Sequence, residues 1–313
     1  MRRFLSACSS RKHVYCVLFA IGLVALLAGP AWAGPPRTHF TGFEIVDGFS
    51  YGPVVIPAGS RFHVLATQLG VETATDSRVS GDSEIGVNAI WDLPAMTGPM
   101  WGTIRVVNAD GEWDGRWQGS RTLTPAGDVA TSIVATCVGS GAYEGLIARW
   151  DIEGLNVGPA NPYLYYKGFI VEARKGRVDL PMSWRGTRTE TMDLDTLEFQ
   201  IPWEVGQGTH IGGSTNSGFG FLVPTSATEA LITGMGRLTA ANGDLLYWVV
   251  SGVVDLTGQN GAAVSIYFTA GSGRFDDVFG QVDGTAFASF GPPDADNVVS
   301  ATYSYELSGT IRY

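Results

Sequence analysis

The chain has 313 residues, 20 basic and 30 acidic, for a net charge of −10. Such a balance argues against nucleic acids and anionic membrane surfaces as partners, since both demand extensive clusters of Lys and Arg. Forty-two glycines, 11 % aromatics and only 16 % charged residues, without long 3.6-residue periodicity beyond the N-terminal segment, point to β structure.

Residues 1–33 read as a secretory signal peptide. Arg2, Arg3, Arg11 and Lys12 precede the apolar run Cys16–Gly29, and Ala31-Trp32-Ala33 supplies small residues for cleavage before Gly34. The run is shorter than the ~20 residues a membrane helix needs. No Cys follows it at a lipidation position, and Arg2-Arg3 lacks twin-arginine spacing. The expected product is exported, secreted or periplasmic. Losing four basic residues leaves 16 against 30 acids, a net of −14. Cys8 and Cys16 leave too, so Cys137 stands alone, no intrachain disulfide can form, and the core must hold the fold.

The next features come in pairs. Asp110-Gly111 and Asn242-Gly243 are hairpin signals, because both turn positions tolerate positive φ. Gly139-Ser140-Gly141, followed by Tyr143, recurs as Gly271-Ser272-Gly273, followed by Phe275. Both pairs lie 132 residues apart. Each copy then runs through a strand and a Pro-containing loop, 158–162 or 291–297, to an alternating aromatic strand. In the last of these, Val299, Ala301, Tyr303, Tyr305, Leu307, Gly309, Ile311 and Tyr313 share one face, with polar residues on the other. The shared order of turns predicts two tandem antiparallel meander barrels of about eight strands each, an all-β fold. The expected domains are 34–175 and 176–313, with the boundary inside Val171–Glu190, marked by a basic cluster and Pro181.

Gly236–Asp244 (GRLTAANGD), Gly271–Phe275 (GSGRF) and Tyr305–Ile311 (YELSGTI) resemble secreted bacterial proteins of the allene oxide cyclase-like and dirigent-like barrel group. In the first copy the likeness rests on turn order and on Gly98–Ile104 (GPMWGTI). The resemblance implies short eight-stranded barrels with a central cavity for a hydrophobic small molecule. It carries no functional residue across, and fold alone does not fix function.

Chemistry is sparse. His39, His63 and His210 have no metal-ligand spacing, and no nucleophile elbow or phosphate loop occurs. Cys137 reads as a buried strand thiol. Asn108–Gly115 and Asp294–Asn297 have partial calcium-like spacing but lack the closing ligands, so hairpin tips are expected. Asp193 and Asp195 share a face if their segment is one strand, a pair that could do acid–base work. Trp91, Trp101, Trp113, Trp117 and Trp150 crowd the first copy; Trp203 and Trp248 lie in the second. They suit a barrel core, and Trp113 and Trp117 share a face.

The reading is an exported, non-catalytic binding or structural protein that holds a hydrophobic small molecule. Tyr303, Tyr305, Trp113 and Trp117 are the candidate ligand contacts, with no cofactor or metal. Two alternatives stand beside it: an isomerase or cyclase acting on a hydrophobic substrate in a barrel cavity, and a glycan- or protein-binding module using surface tryptophans.

Overall fold

The computed structural model describes residues 36–313 except 53–60, 93, 125, 127, 156–162, 173–179, 258–260 and 277. The expected signal peptide, with cleavage expected before Gly34, and the expected loop 158–162 lie outside the described residues. Among these residues no helix is long and apolar enough to cross a membrane.

Two closed eight-stranded antiparallel barrels follow one another. The first comprises β1 (Arg37–Tyr51), β2 (Arg61–Ala74), β3 (Gly81–Asp92), β4 (Thr97–Val107), β5 (Gly111–Leu123), β6 (Val129–Gly141), β7 (Leu146–Leu155) and β8 (Tyr163–Glu172). The second comprises β9 (Leu180–Asp193), β10 (Glu198–Gly208), β11 (Gly212–Pro224), β12 (Glu229–Thr239), β13 (Leu245–Asp255), β14 (Ala262–Gly271), β15 (Phe279–Phe290) and β16 (Val298–Arg312). Each is a continuous meander whose last strand pairs with its first, β8 with β1 and β16 with β9. Closure leaves no sheet edge for another chain to pair with.

The alternating C-terminal pattern forms β16, with Val299, Ala301, Tyr303, Tyr305, Leu307 and Ile311 buried inside the barrel. Burying one face of each strand and wetting the other fixes the register, because a one-residue slip would exchange the faces.

The recurring Gly-Ser-Gly phrase has the same cause in both barrels. Tyr143 and Phe275 fold back under the hairpin and are buried. A Cβ on Gly139 would lie 2.5 Å from that of Tyr143, and one on Gly271 2.7 Å from that of Phe275. Gly141 and Gly273 take positive φ, +67° and +61°, where L side chains are strained. Tyr143 stacks on Trp113, ring centroids 5.2 Å apart, and donates its hydroxyl to Asn108 Oδ1 at 2.8 Å.

Two expectations change. Asp193 and Asp195 do not share a strand: Asp193 ends β9 and Asp195 lies in the following turn. Asp193 Oδ1 accepts the backbone N–H of Asp195 at 2.8 Å and of Thr196 at 3.1 Å, a side-chain-capped turn that competes with strand pairing. Pro181 marks no linker; it sits in β9 opposite Thr310 of β16. The two calcium-like stretches are hairpin tips. Asn108 caps its own turn through Oδ1, Glu112 is held by Arg105 at 2.6 Å, and Asp294 Oδ1 accepts the N–H groups of Asp296 and Val298.

The barrels share a third, smaller core of Ile90, Trp101, Phe221, Val223 and Val249, with Leu65, Phe219 and Met235 packed on it. These side chains sit on the outer surfaces of β2–β4 and β11–β13. His63 is fully buried here. It stacks on Phe221 with ring centroids 4.3 Å apart, and its Nε2 lies 2.9 Å from Glu198 Oε1.

Candidate functional site

Each barrel encloses a cavity. The second holds about 500 Å³, a size that suits a small molecule. Its wall is largely aliphatic: Leu222, Ile232, Val250, Val264 and Leu307 face inward from alternating strand positions. One end is polar, and β9 contributes most of it. Met182, Trp184, Gly186, Arg188, Glu190 and Met192 occupy alternate positions of that strand, so two charges stand on an otherwise apolar inward face.

Within that end, the Tyr305 hydroxyl donates to Glu204 Oε1, and Asn216 Nδ2 donates to Glu204 Oε2 at 2.8 Å. Trp248 Nε1 in turn donates to Asn216 Oδ1 at 2.7 Å. Burial pushes the Glu204 carboxyl up to about 6 even though Asn216 stabilises its charged form. Glu190 is fully buried, and burial likewise raises it, against the pull of Arg188, whose Nη2 lies 2.9 Å away. The Arg188 guanidinium also sits over the Tyr303 ring, 4.6 Å from its centroid. Burial, reinforced by Glu190, drives the Tyr303 phenol well above the ordinary range. Room for this cluster comes from Gly206: a Cβ there would lie 2.6 Å from Trp184 Nε1 and 2.9 Å from the Tyr305 hydroxyl. Two donors remain unspent, Trp184 Nε1 and Arg188 Nε, both buried and without a hydrogen-bond partner among the described residues. A buried N–H without an acceptor costs about 1–3 kcal/mol, which a ligand oxygen could recover.

The first barrel holds a cavity of about 530 Å³ between a polar floor and an aromatic mouth. On the floor, Glu44 accepts two bonds from Gln68 Nε2, at 3.0 and 2.9 Å, and one from Ser83 Oγ at 3.0 Å. Burial raises the Glu44 carboxyl, and burial with the neighbouring Glu44 raises Glu72 further. At the mouth, Phe62 and Trp91 stack with ring centroids 6.3 Å apart, beside Tyr51 and Arg121.

Of the four candidate contacts read from sequence, Tyr303 and Tyr305 line the second cavity and Trp117 lines the first. Trp113 does not reach a cavity; it packs between Tyr143 and Trp150 and donates Nε1 to the Arg78 carbonyl at 2.7 Å. Trp101, Trp113, Trp117, Trp150 and Trp248 are all buried and cannot form a surface platform. Cys137 is buried, and burial pushes its thiol up, away from the thiolate a nucleophile needs.

Sequence reading passed over Arg188, Glu190, Glu204, Glu44, Gln68 and Arg121. The β9 pair was legible, as charges on the apolar side of an alternation. Glu204 was hidden, because β10 shifts register between Ile201 and Glu204 and moves the inward phase from odd to even positions. Neither a family model, nor a characterised relative, nor a solved structure matches the chain.

Proposed function

We propose that the protein is an exported ligand carrier whose second barrel holds a neutral, largely apolar small molecule bearing a hydrogen-bond acceptor. One observation carries this reading: an apolar cavity of about 500 Å³ runs up to two buried donors, Trp184 Nε1 and Arg188 Nε, that no group among the described residues satisfies. A neutral ligand is favoured because Arg188 already has its counter-charge in Glu190. Export rests on the N-terminal segment, and the resemblance to allene oxide cyclase-like and dirigent-like barrels is in keeping with a ligand-holding interior.

A second reading is favoured by the Glu204–Tyr305 pair. A carboxyl held near neutrality and hydrogen-bonded to a phenol can pass a proton to or from a substrate in a water-poor cavity, as an isomerase or cyclase requires. Native mass spectrometry of protein from its own host, followed by solvent extraction, tests the carrier reading. Recovery of a stoichiometric apolar compound supports it. If nothing is recovered and neither barrel takes up apolar fluorescent probes, the reading fails. Incubating the recovered compound with wild-type protein and with Y305F separates the two: conversion by the wild type alone makes the protein an enzyme.

A further inference from the structure

The two cavities differ in charge. In the second, the arginine is spoken for by Glu190. In the first, Arg121 lines the wall near the end of β5, and no carboxylate among the described residues pairs with it. Its surroundings are the face of Trp91, 5.7 Å from guanidinium carbon to ring centroid, and the Tyr51 phenol. Arg121 Nε is buried without an acceptor among the described residues. Asp92, at the same end, lies 3.7 Å from Arg61. Glu44 is no substitute. It stands seven residues down β1 from Tyr51, roughly 20 Å at the rise of a strand, and is tied to Gln68 and Ser83. The corresponding stretch of the second barrel's fifth strand presents Val254 to its cavity instead.

A guanidinium taken partly out of water without a counter-charge is costly unless an anion completes it. Below it the wall is apolar and deep: Met100, Ile133, Ile152 and Leu164 line the space between Arg121 and the floor. We infer that the first barrel is a separate site for an amphiphile with a single anionic head group, the head held by Arg121 at the mouth and the apolar body lying among Trp91, Met100, Ile133 and Leu164. One chain would then carry two ligands sorted by charge, an anionic amphiphile in the first barrel and a neutral molecule in the second. This rests on the reading that the barrels bind ligands at all.

The test titrates the full chain with dodecanoate and with dodecanol by calorimetry. Arg121→Gln should weaken dodecanoate by roughly 10- to 100-fold, the value of a charge-assisted pair, and leave dodecanol within twofold; Arg121→Lys should retain most of the dodecanoate affinity. Filling the first cavity with Ala66→Phe should abolish dodecanoate binding, whereas filling the second with Ala288→Phe should spare it. Circular dichroism and melting confirm that each variant is folded, and Ala66→Phe and Arg121→Gln give independent routes should one misfold. Dodecanol binding without dodecanoate binding, an Arg121→Gln effect equal on both probes, or loss of dodecanoate in Ala288→Phe would overturn the inference and leave the carrier reading standing. Failure of both probes in every form would overturn the two together.

Discussion

Trp101 and Thr233 stand 132 residues apart, the offset that aligns the two copies, and they bind each other: the indole Nε1 donates to the Thr233 hydroxyl at 2.7 Å. Trp101 belongs to the fourth strand of its barrel and Thr233 to the fourth strand of the other. Nearby, the Thr136 hydroxyl of the sixth strand β6 donates to the Thr269 carbonyl of the sixth strand β14 at 2.6 Å. A surface patch that meets its own counterpart is the mark of an isologous, two-fold interface. The barrels pack as the halves of a homodimer would, though one chain carries both.

The shared core should make the barrels unfold together. Trp101→Ala removes a fully buried indole and should cost roughly 3–5 kcal/mol, read as one cooperative transition shifted down in denaturant. Thr233→Val, which leaves the indole N–H unpaired, should cost about 1–3 kcal/mol. Two separate transitions in the wild type would contradict the shared core.

Residues 180–313 produced alone would expose Phe221, Val223 and Val249. That piece is expected to self-associate through this face, and light scattering would report a dimer. A well-folded monomer would show that the second barrel does not need the interface.

The Gly-Ser-Gly hairpins should tolerate no side chain. Gly271→Ala would force a Cβ against Phe275, an overpacking cost of roughly 1–3 kcal/mol, and Gly139→Ala should cost a similar amount against Tyr143. Neutral outcomes at both sites in thermal melts would refute the steric account.

Acid should affect the barrels and their interface in opposite senses. Glu204, with its folded pKa raised to about 6 from 4.5, binds more protons folded than unfolded. Its stabilising contribution is present in acid and lost as pH rises through about 6; the full swing is about 2 kcal/mol. Glu44, Glu72 and Glu190, also raised, act in the same sense. At Glu198 burial pushes upward, but His63 and Arg61 outweigh it and hold the carboxyl below its ordinary value. Its contribution is present above the unfolded pKa and lost as pH falls through the lower folded value. Chemical denaturation should therefore show wild-type stability rising from pH 8 to pH 5, with a flatter profile in Glu204→Gln and renewed loss well below pH 4.5. An unchanged profile in Glu204→Gln would exclude its share.

Cys137 should be inert. Buried in β6, with burial pushing its thiol up, it is expected to react with a disulfide reagent only as fast as the barrel opens. Rapid labelling of the native protein would mean the strand is exposed.

The sequence by itself determined the fold class, the two meanders and the hairpins that punctuate them. These follow from local rules: period-2 alternation sorts faces, and Asn-Gly, Asp-Gly and Gly-Ser-Gly set reversals within a few residues. The closing strand was legible residue by residue because Val299 to Ile311 alternate without interruption. Tertiary structure alone decided the sites. A bulge in β10 changes the inward phase, so the buried role of Glu204 cannot be counted off the chain. The isolation of Arg121 depends on which groups eight strands bring to one end of a barrel. The contact between Trp101 and Thr233 depends on how one closed barrel meets another. Alternation tells a strand which face to bury; only closure and packing tell a buried charge what it will meet.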